Sequence, residues 1–295
     1  NLSEKFEKDV LNGMSFPVFV KPVDSNSGKG MSICFNIDEI PLAVKKALEN
    51  SKTKRFIVDE LMDCDDMFIY FTFKDGEIFV SATADRFTSH EQGRLSKVCL
   101  GGLYPSKYTD LYFQTLHDKL VKMFLDLGIL NGVMMISAFV KNNKLHLYDP
   151  GFRLQGEAPN VLIEAINGFD QKTMLIEFAL TGRMGEINLE NVNNCQFQGK
   201  YAATVWFILK KGRISKIEGV DKVLKDPVVV HFSQRLNIGD IVTNDVLGTE
   251  AQVFARLYIV TSTYEERREK IKFIQNTINV RDEYNELMQL NGFQW

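Results

Sequence analysis

The chain has 295 residues, 45% of them hydrophobic and 25% charged, with a formal net charge of −3. That is enough chain for two domains with real cores, in the ordinary balance of a globular protein. The slight negative charge excludes a general basic footprint for nucleic acid, and no apolar run reaches the length of a membrane span. The cysteines (Cys34, Cys64, Cys99, Cys195) form no Cys-x-x-Cys pair and share no metal-ligand spacing with the histidines, so reduced thiols in a cytoplasmic protein are expected. The N-terminus shows no signal-peptide pattern. With Asn1 first and a strand signal by residue 17, the chain is expected to be a piece that lacks an upstream lobe.

In chain order, Phe16–Val20 is a buried-strand pattern that ends on a charge, Lys21, before Pro22. Ser25-Asn26-Ser27-Gly28-Lys29-Gly30 is a small-residue loop, and the segment after it, Met31–Phe35, reads as a second strand. Asn36 and Glu39 resemble a capping box for a helix over 37–50, with Ile40, Ala43, Val44, Ala47 and Leu48 on one face. Arg55–Glu60 is a strand that closes on two acids, and Met67–Phe73 and Glu77–Thr83 flank the turn Lys74-Asp75-Gly76. Residues 17–86 are thus expected as a β-β-α-β-β-β unit, followed by irregular chain over 87–107. A helix is predicted over 109–127, with Leu116, Leu120, Phe124 and Leu127 inward and Gly128 as its stop. Strands over 132–140 and 144–149 enclose the left-handed turn pair Asn142-Asn143. Asp170 caps a helix with Met174, Leu175, Phe178 and Ala179 inward, stopped by Gly182. From about 197, short strands (201–210, 214–219, 228–230, 241–243, 251–261) and a helix over 263–277 predict a small α+β module appended to the core.

Lys21, Lys29 and the glycines of the loop offer two cations and several free N–H groups to one polyanion. Glycine lets the backbone approach a phosphate closely, and lysine supplies a mobile point charge. The loop is not the P-loop of nucleotide hydrolases, which needs Gly-x-x-x-x-Gly-Lys-Ser/Thr opening a helix. A strand follows here, so the loop reads as a hairpin flap over a nucleotide.

In order and spacing these residues resemble the ATP-grasp superfamily. The features are Val20-Lys21-Pro22, the Gly-rich flap, the acid pair Asp59-Glu60, the later acid Asp66, and Asp149-x-x-x-Arg153-x-x-Gly156. In appearance the nearest members are carbamoyl-phosphate-synthetase-like and biotin-carboxylase-like, and the resemblance covers roughly residues 1–185. It implies an α+β ATP-grasp fold, two α+β subdomains gripping ATP, with a C-terminal β-rich lid. The expected division is a remnant of the upstream lobe at 1–16, a small subdomain at 17–86, a large subdomain at 87–196 and the lid at 197–295.

The resemblance also implies roles. Lys21 contacts the α- and β-phosphates. Ser27, Gly28, Lys29 and Gly30 form the flap over the β- and γ-phosphates, with Lys29 assisting transfer. Asp59, Glu60, Leu61 and Met62 form the hinge, where the backbone of Glu60 and Met62 reads adenine. Asp66 accepts the ribose hydroxyls, Arg86 lies near the γ-phosphate, Asp149 is the Mg²⁺ ligand, and Arg153 stabilises the transferring phosphoryl group. The implied activity is an ATP- and Mg²⁺-dependent ligation of a small-molecule carboxylate to an amine, or to a thiol, through an acylphosphate. A homodimer contact through the C-terminal module is left open.

Two departures weigh against a full metal clamp. Ser137 stands where relatives carry a second acid, and Gly151 stands where they often carry Asn. The alternative is an ATP-binding module with impaired or no ligase activity.

Overall fold

The computed structural model describes residues 14–25, 29–62, 64–88 and 99–294. The chain divides into two compact units, one built on residues 14–62, the other on 64–88, 99–247 and 251–294.

The first unit contains β1 (Val18–Pro22), β2 (Ser32–Cys34), α1 (Ile40–Glu49) and β3 (Phe56–Glu60). Its strands form an antiparallel sheet in the order β2-β1-β3. Alternation along β1 sends Val18 and Val20 inward, where they pack with Cys34 and with Ile40, Ala43, Val44 and Ala47 of α1. This is the helix face that the periodicity predicts, with Leu48 at its rim. Asn36 and Glu39 also cap the helix start, though not as the reciprocal box that the spacing suggests. Asn36 Nδ2 donates to Glu39 Oε1 at 2.9 Å, and the Phe35 amide donates to Glu39 Oε2 at 2.8 Å. The Asp38 amide donates to Asn36 Oδ1 at 3.1 Å, so donors at the helix start find partners.

The second unit begins with β4 (Asp65–Lys74), β5 (Glu77–Thr88) and β6 (Cys99–Tyr104), followed by α2 (Thr109–Thr115) and α3 (His117–Asp126). Then come β7 (Gly132–Lys141), β8 (Lys144–Gly151), α4 (Asn160–Asn167), α5 (Gln171–Thr181) and α6 (Leu189–Val192). The remainder is β9 (Tyr201–Ile208), β10 (Gly212–Glu218), α7 (Val220–Leu224), β11 (Val229–Gln234), β12 (Ile241–Val242), β13 (Val253–Thr261), α8 (Tyr264–Thr277) and β14 (Asn279–Asp282). Among the described residues, an eight-stranded antiparallel sheet runs in the order β11-β13-β9-β6-β5-β4-β7-β8, and a smaller sheet in the order β12-β10-β14. Helices cover both faces of the large sheet. On one, Phe71 and Phe73 meet Phe124 of α3 edge-on at 5.2 Å each. On the other, Tyr70, Tyr104 and Tyr258 pack with Leu162, Ile163 and Ile166 of α4. The turn Asn142-Asn143 is left-handed at both residues (φ 52° and 55°), as a two-residue hairpin requires.

Several expectations change. β4 is buried along nearly its whole length, on both faces, which marks a central strand, and with β5 it lies in the large sheet of the second unit rather than with residues 17–63. The segment 197–295 is not an appended module, because β9, β13 and β11 continue that sheet from β6 outward. Residues 87–107 contain β6, where a Cβ on Gly101 would stand 1.9 Å from the Thr204 carbonyl oxygen, so glycine admits the neighbouring strand. The helix expected over 109–127 breaks at Leu116, which leaves helical geometry (φ −126°) between α2 and α3. In α5 only Met174 of the expected inward residues is buried. Phe178 is 37% exposed and Leu180 is 80% exposed, because the apolar residues of this helix are spread around it among polar ones and mark no single face. No helix among the described residues is long and apolar enough to cross a membrane.

Candidate functional site

The first unit holds the flap and the hinge. β1 and β2 pair antiparallel with Val18 opposite Cys34, so the loop between them is the expected hairpin connection. Ser27 and Gly28 lie outside the described residues. Lys29 is exposed, and Gly30 adopts φ +77°, where an added Cβ would stand 2.6 Å from Asn50 Cβ. The left-handed backbone and the helix end behind it both require glycine. The loop is tied at both ends by contacts that sequence reading missed. Asp24 Oδ2 accepts from the Thr53 amide at 2.7 Å, and Lys46 Nζ donates to the Met31 carbonyl at 2.9 Å. The Ser51 hydroxyl, more than any other neighbour, brings the Asp24 carboxyl down to about 2.

Lys21 and Phe19 point to the sheet face opposite α1, where Phe19 lies across from Ile33 and Asp59, and Lys21 from Ile57. Lys21 Nζ meets Asp59 Oδ2 at 2.7 Å, with side chains 34% and 48% exposed. The expected phosphate lysine is therefore partnered by an expected hinge acid. At the end of β3, Glu60 Oε1 accepts from the Ser15 amide at 3.4 Å, and the Leu61 amide donates to the Pro17 carbonyl at 3.0 Å. Met62 lies just beyond the strand. Among the described residues β3 is an edge strand of its sheet.

The second unit carries Asp66, Arg86, Asp149 and Arg153, and it joins the first two to residues the sequence did not flag. Asp66 and Arg86 are cross-strand partners on β4 and β5, joined Nη1 to Oδ2 at 3.2 Å. Arg86 Nε lies 3.8 Å from Glu157 Oε1, and the guanidinium sits over the Phe68 ring at 5.3 Å. Burial works against its charge, but Cys99, Glu157 and Asp66 outweigh that and hold its proton above the usual arginine range. The Tyr148 hydroxyl donates to both oxygens of Asp66, at 3.0 and 3.2 Å. Tyr148 stands in a β-bulge, which places it off the alternation that a sequence reading uses.

Asp149 is exposed and lies directly across from Ser137, so the position where a second acid is expected is indeed the cross-strand neighbour of Asp149. Ser137 is buried, and its Oγ faces Met135 Sδ at 3.3 Å. Among the described residues no group of three acidic, histidine or cysteine side chains is placed to hold a metal ion. The exposed carboxylate of Asp149 is a hard oxygen donor of the kind Mg²⁺ takes, and the residue directly across from it is a serine, not a second acid.

Arg153 is exposed and makes no ion pair among the described residues; its Nη1 donates to the adjacent Leu154 carbonyl at 3.0 Å. The loop that carries it is fixed from β13. Arg256 Nη1 donates to the Gly156 carbonyl, and the Tyr258 hydroxyl donates to the Glu157 carbonyl at 3.0 Å. Arg256 in turn stacks on Trp206 at 3.9 Å. A buried acid between Gly156 and Pro159 was the available signal for Glu157; β13 gave none for its two anchors. Lys107 Nζ is taken up by Asp65 Oδ2 at 2.7 Å.

Residues 1–91 match the family model of the D-ala D-ala ligase C-terminus. The chain is 26% identical over 157 residues to an ATP-grasp enzyme, fsqD, of Aspergillus fumigatus, a match covering 50% of this chain and 27% of that protein. It is 26% identical over 133 residues to the D-alanine–D-alanine ligase of Tropheryma whipplei, covering 42% and 36% respectively. The chain thus spans only about a quarter to a third of these curated relatives (27% and 36%). Among solved structures, the L-amino acid ligase of Bacillus licheniformis superposes with a TM-score of 0.71 at 14% identity, over 93% of this chain and 67% of that one. The biotin carboxylase domain of the Hydrogenobacter thermophilus 2-oxoglutarate carboxylase, solved with MgADP and bicarbonate, gives 0.72 at 14% identity, over 96% and 60%. Phosphoribosylglycinamide synthetase from Anaerococcus prevotii gives 0.65 at 16% identity, over 95% and 68%.

Proposed function

We propose that this chain, a member of the ATP-grasp superfamily by its fold and its match to the ligase family, belongs to an ATP-dependent carboxylate–amine ligase. The observation that carries the reading is the pair formed at the end of edge strand β8. There Asp149 is exposed, and Arg153 is an exposed cation without an ion partner among the described residues. A carboxylate and a free guanidinium four positions apart suit a phosphoryl group in transit.

In this reading Lys21 and Lys29 bind nucleotide phosphates, and Asp149 holds Mg²⁺, which supplies charge neutralisation on the phosphates when bound. A substrate carboxylate oxygen attacks the γ-phosphorus as the bond to the β-phosphate oxygen breaks, giving an acylphosphate and ADP. Arg153 offers its fixed fork of donors to the charge on the moving phosphoryl oxygens. The amine then attacks the acyl carbon, loses a proton, and phosphate leaves. The protein's share is positioning and electrostatics. The substrates themselves remain open among amino acids, peptides and related acids.

The second reading, nucleotide binding with weak or no ligation, is favoured by buried Ser137 across from Asp149. ADP release from full-length protein, measured with panels of carboxylates and amines, separates the two. The ligase reading expects release that needs both co-substrates, is lost in Arg153→Met, and leaves ATP binding by that variant intact. ATP binding without any dependent release favours the second reading, and unchanged turnover in Arg153→Met overturns the role given to that residue.

A further inference from the structure

Asp149 and Arg153 are separated by Pro150, Gly151 and Phe152. Cross-strand partners share a face of their sheet, so the register of β7 with β8 sorts these residues. Asp149 lies across from Ser137 and Gly151 from Met135, on the face where Met135 packs with Tyr70 and Leu162. Pro150 lies across from Ile136, on the other face, where Ile136 packs with Phe71, Phe73 and Phe124. Phe152 follows Pro150 to that second face, where its ring meets Phe73 at 6.0 Å and 51°. The ring also lies against Gly132, the first residue of β7, where an added Cβ would stand 2.5 Å from Phe152 Cζ. Gly132 is at φ +141°, and its bare backbone is what lets the ring rest on the strand. Phe73 is itself met edge-on by Phe124, and both are fully buried, so Phe152 is tied to the core of that face.

The chain beyond Arg153 is held from the other end. Arg256 Nη1 donates to the Gly156 carbonyl, and the Tyr258 hydroxyl donates to the Glu157 carbonyl at 3.0 Å. Arg153 thus sits between two anchors, an aromatic one just before it and a hydrogen-bonded one just after it. Its amide donates back to the Gly151 carbonyl at 2.9 Å. Arg153 makes no ion pair among the described residues, so its main chain sets where the guanidinium can reach. We propose that Phe152 is a positioning residue: wedged between Phe73 and Gly132, it fixes the main chain after β8 and with it the offset of Arg153 from Asp149. The inference rests on the ligase reading for what Arg153 does to a substrate. The anchoring lies wholly within the second unit and is measurable without that reading.

The test uses the full-length protein as wild type, Phe152→Ala and Phe152→Tyr, the last of which keeps the ring. Phe152 is 54% exposed, so its truncation leaves the core filled while it cuts the first anchor. Phe152→Leu serves if Phe152→Ala does not fold. The first readout is the NMR order parameter of the amides from Gly151 to Leu154, expected at about 0.85 in wild type and below about 0.6 in Phe152→Ala. The second is kcat and KM for ATP in carboxylate- and amine-dependent ADP release. A displaced Arg153 fails only the phosphoryl group in transit, so kcat should fall by about 10–100-fold while KM for ATP stays within about twofold. Phe152→Tyr should return both readouts toward wild type. Unchanged order parameters in Phe152→Ala overturn the inference. So does a loss of order that leaves kcat unchanged, or one expressed wholly as a rise in KM, because the ring would then serve the fold alone. A wild type that releases no ADP with any carboxylate and amine counts against the ligase reading, and the order parameters then decide the anchoring by themselves.

Discussion

Replacing Lys21 by Met is expected to leave the first unit folded while removing most of its response to ATP. The Lys21–Asp59 pair is short, 2.7 Å, but its side chains are 34% and 48% exposed. Such surface pairs are worth about 0–1 kcal/mol, so the ligand-free melting temperature should move by no more than about 2 °C. A charge-assisted contact to phosphate is worth about 2 kcal/mol, or roughly 30-fold in affinity. At a ligand concentration of about 100 times Kd, ATP stabilises wild type by about 2.7 kcal/mol, and a 30-fold weaker variant keeps about 0.9 kcal/mol. For a chain of this size that is a fall in thermal shift from about 5 °C to under about 2 °C. Asp59→Asn removes the carboxylate that competes for Lys21 and should preserve or increase the shift. Lys122→Met is the control, because Lys122 also makes a 2.7 Å pair, with Asp126 on the exposed face of α3. The reasoning fails if Lys21→Met retains the wild-type shift, or if Lys122→Met loses it to the same extent.

Three further outcomes follow from the geometry. Phe124→Ala removes a fully buried ring that meets Phe71 and Phe73 edge-on, and should lower the unfolding free energy of the second unit by about 3–5 kcal/mol in a urea titration. Gly30→Ala forces a Cβ to within 2.6 Å of Asn50 Cβ at φ +77°, costing about 1–3 kcal/mol confined to the first unit, visible as faster amide exchange there and weaker ATP binding. The Asp24 carboxyl sits at about 2 when folded against an ordinary 3.8, so its tie to Thr53 is fully present above 3.8 and is lost as pH falls toward 2. The Thr53 amide should therefore lose protection, relative to its intrinsic exchange rate, across that acid window in wild type, and lack it throughout in Asp24→Ala.

Local structure was legible wherever a residue's chemistry acts on its own neighbours. The Asn36 cap, the Asn142-Asn143 turn and the Asp170 cap, whose side chain accepts from Lys172 N and Thr173 N, all form as their residue types dictate. The α1 face was legible for the same reason, since its apolar stripe has one side. The long-range arrangement was not. Apolar runs identify β4 and β9 as strands but are silent about which strands they join, and a helix such as α5, whose apolar residues are spread around it among polar ones, hides its inner face. Motif positions on the candidate site, Lys21, Asp66, Asp149 and Arg153, stood out by type and order. The groups that orient them did not, because Tyr148 enters through a bulge, and Arg256 and Tyr258 come from a strand a hundred residues away.

That last dependence decides how the C-terminal segment should be regarded. If residues 197–295 were a lid, a chain ending at residue 196 would keep its core and lose only closure. The sheet order argues otherwise, because β9 pairs with β6 from Gly101–Tyr104 and carries β13 and β11 beyond it. Removing the segment strips β6 of its partner on one side and deletes every buried member but Leu103 of the cluster that includes Val205, Leu257 and Ile271. Each such aliphatic side chain contributes about 1.5–3 kcal/mol on burial, so the loss far exceeds the ~5–15 kcal/mol by which a domain is stable. It also frees the carbonyls of Gly156 and Glu157 from Arg256 and Tyr258, so the loop bearing Arg153 loses its anchors. A chain truncated after residue 196 is therefore expected to show collapsed amide dispersion for residues 64–196 and no cooperative melt of that unit. A dispersed spectrum with a sharp melt would mean that the strands from β4 to β8 stand without β9, and that the segment is an accessory after all.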